Sequence, residues 1–267
     1  MKDLISQELN KEPQPNLKKL VLAEMLQHLI LQSMYRHGAF EHLIFTGGTA
    51  LRILYHTNRY SEDLDFSLAA PEDFKFRSFL EKIQKDLALQ ELRFDFYPKE
   101  VKTVLQAEMR FSALLHEFRL SPLKDQKLTI KLEIDTNPPA GGAKEIALVT
   151  SPISYTVAVF DLPSLFATKL HAVFFRRYTK GRDYYDLMWY LGRKTKPNFA
   201  LMNNAICQTE GKEREIREDE FKARLIEHLK SVDFRKIRAE VERFIIHPEE
   251  LKFLDLEPVL SLLRNYE

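Results

Sequence analysis

The sequence predicts an α/β chain of the α+β kind: a mixed sheet with flanking helices in residues 1–159, then a helical half in residues 160–267. Three observations carry that prediction. Before Val159, segments with apolar residues at helical spacing alternate with segments of strand-like alternation. After Asp161 the periodicity is almost wholly helical, and such a switch marks a change of architecture. The 267 residues suffice for two such halves, at roughly 100–200 residues per domain.

The elements follow in order. Leu17 to His37 reads as an N-terminal amphipathic helix, with Leu20, Val21, Glu24, Met25, His28, Leu29 and Gln32 at i, i+3, i+4 and i+7 spacing and Gly38 as its stop. Leu43-Ile44-Phe45 is a short strand ended by Gly47-Gly48, and Thr49 to His56 returns to helical spacing with Ala50, Leu51, Leu54 and Tyr55 on one face. Asp63-Leu64-Asp65-Phe66 alternates acid and apolar, which predicts a strand over Leu64 to Leu68. Pro71 opens a turn before a helix from Phe74 to Leu89, and Phe94 to Tyr97 is a further strand. Leu128 to Asp135 alternates best: Leu128, Ile130, Leu132 and Ile134 face one way, Lys131, Glu133 and Asp135 the other. Asn137-Pro138-Pro139-Ala140-Gly141-Gly142 is the clearest loop, and Asp161-Leu162-Pro163-Ser164 the start of a helix.

Composition narrows the function classes. A hydrophobic fraction of 45% and a charged fraction of 30% are those of an ordinary globular chain. Lys plus Arg number 40 against 39 Asp plus Glu, a net charge of +1, so any nucleic-acid binding must use a local patch. The single cysteine, Cys207, excludes a disulfide framework and a cysteine-built zinc site and suits a reducing cytosol. No apolar stretch reaches the ~20 residues a membrane span needs, and Met1-Lys2-Asp3-Leu4 opens no signal-peptide core. The expected location is the cytoplasm, with no membrane partner.

Chemistry concentrates in Phe45-Thr46-Gly47-Gly48-Thr49-Ala50-Leu51 and Arg59-Tyr60-Ser61-Glu62-Asp63-Leu64-Asp65-Phe66. A strand that ends in two glycines and feeds a helix lets backbone N–H groups approach an anion, and Thr49 adds a hydroxyl. Asp63 and Asp65, two apart on a strand, project from one face. Carboxylates that close repel unless a divalent cation lies between them, and hard oxygen ligands of this kind suit magnesium, or manganese. A phosphate cradle beside metal-binding acids is the equipment of phosphoryl or nucleotidyl transfer. For a third carboxylate the strand Lys131 to Asp135 offers Glu133, the favoured candidate, and Asp135.

This constellation resembles the nucleotidyltransferase superfamily that includes polymerase beta, with its Gly-Gly or Gly-Ser, a spacer and Asp-x-Asp or Asp-x-Glu. The spacer here, between Gly48 and Asp63, is slightly long for that superfamily. More narrowly it resembles the AbiEii/AbiGii toxin family, in which such a spacer is ordinary and a downstream lysine and an Arg-Asp-x-x-Asp segment follow. Lys169-Leu170-His171-Ala172, Arg177 and Gly181-Arg182-Asp183-Tyr184-Tyr185-Asp186-Leu187 match in that order, so the resemblance spans about Leu43 to Leu191. It implies a nucleotidyltransferase fold and a magnesium-dependent transfer from a nucleoside triphosphate, with pyrophosphate released. It also implies an RNA acceptor, tRNA foremost, and a separately encoded antitoxin. In the implied roles Gly47, Gly48 and Thr49 hold the triphosphate. Asp63 and Asp65 hold metal, Lys169 neutralises the pyrophosphate, and Asp183 orients Lys169, a metal-bound water or the acceptor hydroxyl, or supplies part of the third-carboxylate role. Arg182 and Asp186 support them, with Arg182 also counted among the nucleotide-binding residues. Ser61 is a phosphate contact, a phosphorylation target or a turn residue, and Arg59 an anion contact or a solvated arginine.

Plainer readings stay open on the residues alone. Lys169 and Asp183 also fit an inter-helix ion pair. Arg176, Arg177, Lys180, Arg182, Arg193 and Lys194 outnumber Asp183 and Asp186 and form either a rim for a polyanion or ordinary surface arginines. His28, His37, His42 and His116 lack ligand spacing, and Tyr184, Tyr185, Trp189 and Tyr190 read as core. Glu210 to Arg224 mixes both charge signs as an exposed linker and solvated helix. Two other functions remain as alternatives: transfer to a small molecule of the antibiotic type, and a non-catalytic nucleotide-binding module.

Overall fold

The computed structural model describes residues 1–266. The first elements are helices α1 (Lys2–Lys11) and α2 (Lys18–Arg36), strand β1 (Leu43–Thr46), helix α3 (Gly47–Tyr55), strand β2 (Asp63–Leu68) and helix α4 (Phe76–Ala88). The hairpin β3 (Phe94–Val101) and β4 (Val104–Phe111), the one-turn helix α5 (Leu114–Glu117) and strand β5 (Leu128–Asp135) follow. After β6 (Lys144–Val149) and β7 (Tyr155–Phe160) come helices α6 (Leu162–Phe175), α7 (Gly181–Gly192), α8 (Phe199–Thr209), α9 (Glu218–Lys230), α10 (Phe234–Val241) and α11 (Leu256–Arg264). The chain forms two compact units: Met1–Pro138 with Ile146–Val159, and Pro139–Glu145 with the chain from Phe160 onward. Among the described residues no helix is long and apolar enough to cross a membrane.

The sheet is mixed, as the sequence predicts. Its order is β3-β4-β5-β2-β1-β7-β6, with β2 antiparallel to β1 and parallel to β5, and β1 parallel to β7. Register puts Asp63 opposite Lys131 and Asp65 opposite Glu133. Because side chains alternate along a strand, Leu64, Phe66, Leu132 and Ile134 are all buried on one face and the charged residues lie together on the other.

The structure adds α1, β4, β6 and β7, which the sequence pattern left unassigned. Helix α1 has only Ile5 and Leu9 buried, too sparse a stripe to read. Strand β4 alternates Ala107, Met109 and Phe111, all fully buried, with Gln106, Glu108 and Arg110. Ala, Met, Gln and Glu are helix formers in isolation, and pairing with β3 and β5 overrides them. Helix α2 is buried on more than one side: Leu22, Leu26 and Ile30 are fully buried although they lie outside the stripe read from the sequence.

In the second unit, the Asp161 side chain accepts a hydrogen bond from the Ser164 N–H at 2.9 Å, an N-cap that starts α6 with Pro163 in its first turn. Tyr184, Tyr185 and Tyr190 are buried, and the Tyr190 ring stacks on Phe166 with centroids 4.2 Å apart. These tyrosines are core, as their spacing predicts.

Candidate active site

The turn from β1 into α3 is built around two glycines with different duties. Gly47 has φ +77°, a left-handed conformation that costs any other residue strain. A Cβ placed there would also collide with the Asp65 carboxylate, whose Cβ and Cγ lie only 2.9 Å away. Gly48 faces the Arg59 guanidinium, 2.7 Å from where its Cβ would be, and Ser61 Oγ at 3.0 Å. The N–H groups of Gly47, Gly48 and Thr49 open α3 and have no carbonyl one turn earlier. Thr46, in the cap position, makes no side-chain cap, and its buried hydroxyl has no hydrogen-bond partner among the described residues. N–H groups without an intrahelical partner and an orphan hydroxyl at one helix start suit a phosphate.

The loop from α3 to β2 is held carbonyl by carbonyl. Arg52 donates to Thr57 O at 2.8 Å and Arg59 to Tyr60 O at 3.1 Å. The Gln27 amide of α2 donates to Ser61 O and Glu62 O, both at 3.0 Å. Thr49 Oγ1 donates to Asp63 O. Thr49 is fully buried and Ser61 is 7% exposed, and Thr49 braces the start of β2 with its hydroxyl, which is therefore not offered to a ligand. Arg59 is 1% exposed, which removes its reading as a solvated arginine. Gln27 was not singled out in the sequence. Its signal was a polar residue inside the apolar run of α2, where burial demands partners.

Asp63 and Asp65 share the open face of β2 with Lys131 and Glu133 of β5. Glu133 Oε1 accepts from Gln106 Nε2 at 2.6 Å and pairs with Lys131 Nζ at 2.7 Å. Burial works to lower the Lys131 pKa, but the bond to Glu133 and the charges of Glu133, Asp63 and Asp65 outweigh it and raise it. Asp135 Oδ1 instead accepts from the Asn137 N–H at 2.9 Å, as a turn residue does. Among the described residues no group of three or more metal-ligating side chains gathers. The same-face pair Asp63 and Asp65 matches magnesium, which takes one or two protein carboxylates and fills its shell with water and substrate phosphates.

In the second unit, Lys169 of α6 meets both acids of the Arg-Asp-x-x-Asp segment on α7. Its Nζ lies 3.0 Å from Asp183 Oδ1 and 2.9 Å from Asp186 Oδ2. Asp183 and Asp186, one turn apart, share a face and are 2% and 0% exposed. Arg176 Nε adds a longer contact to Asp183 at 3.4 Å, a pairing the sequence did not single out. Arg182 is buried with its guanidinium over the Phe244 ring at 4.3 Å, a supporting position rather than one on a rim. Burial, with the positive charges of Arg182, Lys169 and Arg176, lowers the Lys180 pKa against the pull of Asp183.

The family model described as nucleotidyl transferase AbiEii toxin, type IV toxin–antitoxin system, matches residues 29–255. The fold is similar to the crystal structure of JHP933 from Helicobacter pylori, at a TM-score of 0.56 and 18% identity over 93% of this chain and 92% of that one. It is also similar to a protein of the same organism described provisionally as a nucleotidyltransferase, at a TM-score of 0.52 and 19% identity over 92% and 96%. No curated protein sequence matches significantly.

Proposed function

The chain belongs to the AbiEii nucleotidyltransferase toxin family of type IV toxin–antitoxin systems, and from that membership we propose that it transfers a nucleotide from a nucleoside triphosphate to an RNA acceptor, tRNA foremost. The observation that carries the reading is the Gly47–Asp65 packing, which seats a carboxylate directly against the N-terminal turn of α3. An acceptor hydroxyl attacks the α-phosphorus, the new O–P bond forms, the bond to the β-phosphate oxygen breaks, and pyrophosphate leaves. The N–H groups of Gly47, Gly48 and Thr49 receive phosphate oxygens. Asp63 and Asp65 would hold magnesium or manganese, which when bound favours deprotonation of the hydroxyl and screens phosphate charge. Glu133 could join them only by leaving Lys131.

The helical unit enters the reading through its motifs. Lys169, held by Asp183 and Asp186, supplies fixed positive charge for the leaving pyrophosphate, and Arg182 supports the segment. The basic surplus around Arg176 and Arg177 suits a polyanionic acceptor. The family further implies a separately encoded antitoxin, and the exposed free Cys207 is in keeping with a reducing cytoplasm.

The test is incubation with total RNA, magnesium and each α-labelled nucleoside triphosphate in turn. Label in a tRNA-sized band with the native chain, and none with Asp63→Ala, is the expected result. Label on a small molecule instead would move the acceptor class. Bound nucleotide with no transfer to any acceptor would reduce the chain to a nucleotide-binding module.

A further inference from the structure

The second unit carries a cavity of about 380 Å³ between the end of α6 and the turn and helix that contain Arg214 and α9. That volume lies within the usual range for small-ligand sites. Its wall includes Phe174, Phe175 and His228, and Arg214, Arg224 and Glu227 bring charge to it. Glu210 to Arg224 reads in the sequence as an exposed linker and solvated helix; folded, its Arg214 and Arg224 line a concavity.

The aromatic wall is a connected cluster. The Phe174 and Phe175 centroids are 6.0 Å apart, and His228 meets Phe174 edge-on at 5.4 Å. The His228 ring is fixed by a 2.9 Å hydrogen bond between its Nε2 and the Tyr184 hydroxyl. Burial lowers its pKa, which favours the neutral ring. Arg214 and Arg224 are exposed, with Arg224 reaching Glu220 at 3.4 Å. Two chain-neighbour links tie this cavity to Asp183. Phe175 precedes Arg176, which contacts Asp183 at 3.4 Å, and Tyr184, which holds His228, follows Asp183. Of the cations from Leu162 to Arg182, Arg176 and Arg177 are exposed, whereas Lys169 is paired with Asp183 and Asp186 and Arg182 is buried.

We propose that this cavity binds an unpaired base near the end of a single-stranded RNA, stacked against Phe174 and Phe175 with its flanking phosphates on Arg214 and Arg224. The inference rests on the nucleotidyl-transfer reading and names where the acceptor strand is held. A concave aromatic pocket admits one splayed base and not a stacked duplex, and aromatic faces with guanidinium groups are how proteins hold single strands. Glu227 offers an acceptor for a ribose 2′-hydroxyl.

The test is fluorescence anisotropy with a labelled single-stranded RNA of about ten nucleotides, independent of any transfer. Arg214→Glu and Arg224→Glu, both at exposed positions, are each expected to raise Kd about tenfold and to flatten its salt dependence. Phe175→Ala is expected to raise it by a similar factor through lost stacking. Unchanged Kd in the two charge reversals, no binding by the native chain, or equal binding of a duplex overturns the site. Competition by a free nucleoside monophosphate as strong as that by the oligonucleotide overturns it in favour of a mononucleotide pocket. RNA binding with the expected sensitivities but no labelled RNA keeps the site and removes the transfer reading. RNA labelling that both reversals leave intact, with unchanged Kd, does the opposite.

Discussion

The carboxylate of Asp65 stands in the space that a methyl group on Gly47 would fill. The two residues are also paired through the sheet, since Asp65 faces Thr46, the residue before Gly47, across β1 and β2. Glycine at position 47 thus answers two demands at once, a left-handed φ of +77° and a neighbouring carboxylate.

Gly47→Ala is therefore expected to destabilise the chain by about 1–2 kcal/mol from backbone strain alone. It should also displace Asp65, and a displacement of about 1 Å at reacting groups costs on the order of 100-fold in rate. Urea unfolding and labelled-nucleotide transfer measure the two effects; an active, unshifted variant would refute the packing argument.

Gln27→Leu tests the loop brace without touching the acids. It removes the donor from the Ser61 and Glu62 carbonyls, and leaving buried acceptors unmet costs about 1–3 kcal/mol. The expected outcome is a lowered urea midpoint together with a lower kcat, because Asp63 follows directly on the released loop. A stable variant with native kcat would show that the brace does not position Asp63.

Lys169→Met separates the ion-pair reading of Lys169 from its proposed role in transfer. It strands Asp183 and Asp186, both buried, and breaking such a pair from one side costs about 3–5 kcal/mol. Arg176 near Asp183 limits the loss to the lower end. Adding Asp186→Asn removes the stranded charge and should restore part of the stability. Transfer is expected to stay absent in that double variant; recovery of activity with stability would make Lys169 purely structural.

His28 makes stability depend on pH. Burial, helped by the Arg52 charge, lowers its pKa from 6.5 to about 4, while its Nδ1 shares a 2.8 Å hydrogen bond with the Tyr155 hydroxyl. Between those two values the unfolded chain binds the proton and the folded chain does not, so stability rises with pH across the window. The contribution is complete above pH 6.5 and falls away toward pH 4, by about 3 kcal/mol at ~1.4 kcal/mol per unit. His171 and His228 shift in the same direction and leave a residual slope. His28→Gln should flatten the stability profile between pH 4 and 6.5 relative to the native chain, as read by denaturation midpoints.

The parts of the fold legible in sequence were those whose pattern is local. Leu128–Asp135 and the Gly47–Gly48 turn declare themselves through alternation and through a residue type that few other positions require. Strand β4 was not legible because its Ala, Met, Gln and Glu become a strand only when β3 and β5 supply hydrogen bonds on both sides. The buried face of α2 was misjudged for a related reason, since Leu22, Leu26 and Ile30 are covered by elements distant in the chain.

At the site the division is the same. The sequence by itself determined that Gly47, Gly48, Asp63 and Asp65 lie close to one turn, because a short strand, a tight turn and a second strand leave them little freedom. It also determined the order of Lys169 and the Arg-Asp-x-x-Asp segment. Only the tertiary structure decided that Thr49 spends its hydroxyl on Asp63 O, that Arg59 is buried beneath Gly48, and that Glu133 is held by Lys131 and Gln106. It alone joined Lys169 to both Asp183 and Asp186. These outcomes turn on burial and on which partners are in place to satisfy a buried polar group, and both are set by packing between elements remote in sequence.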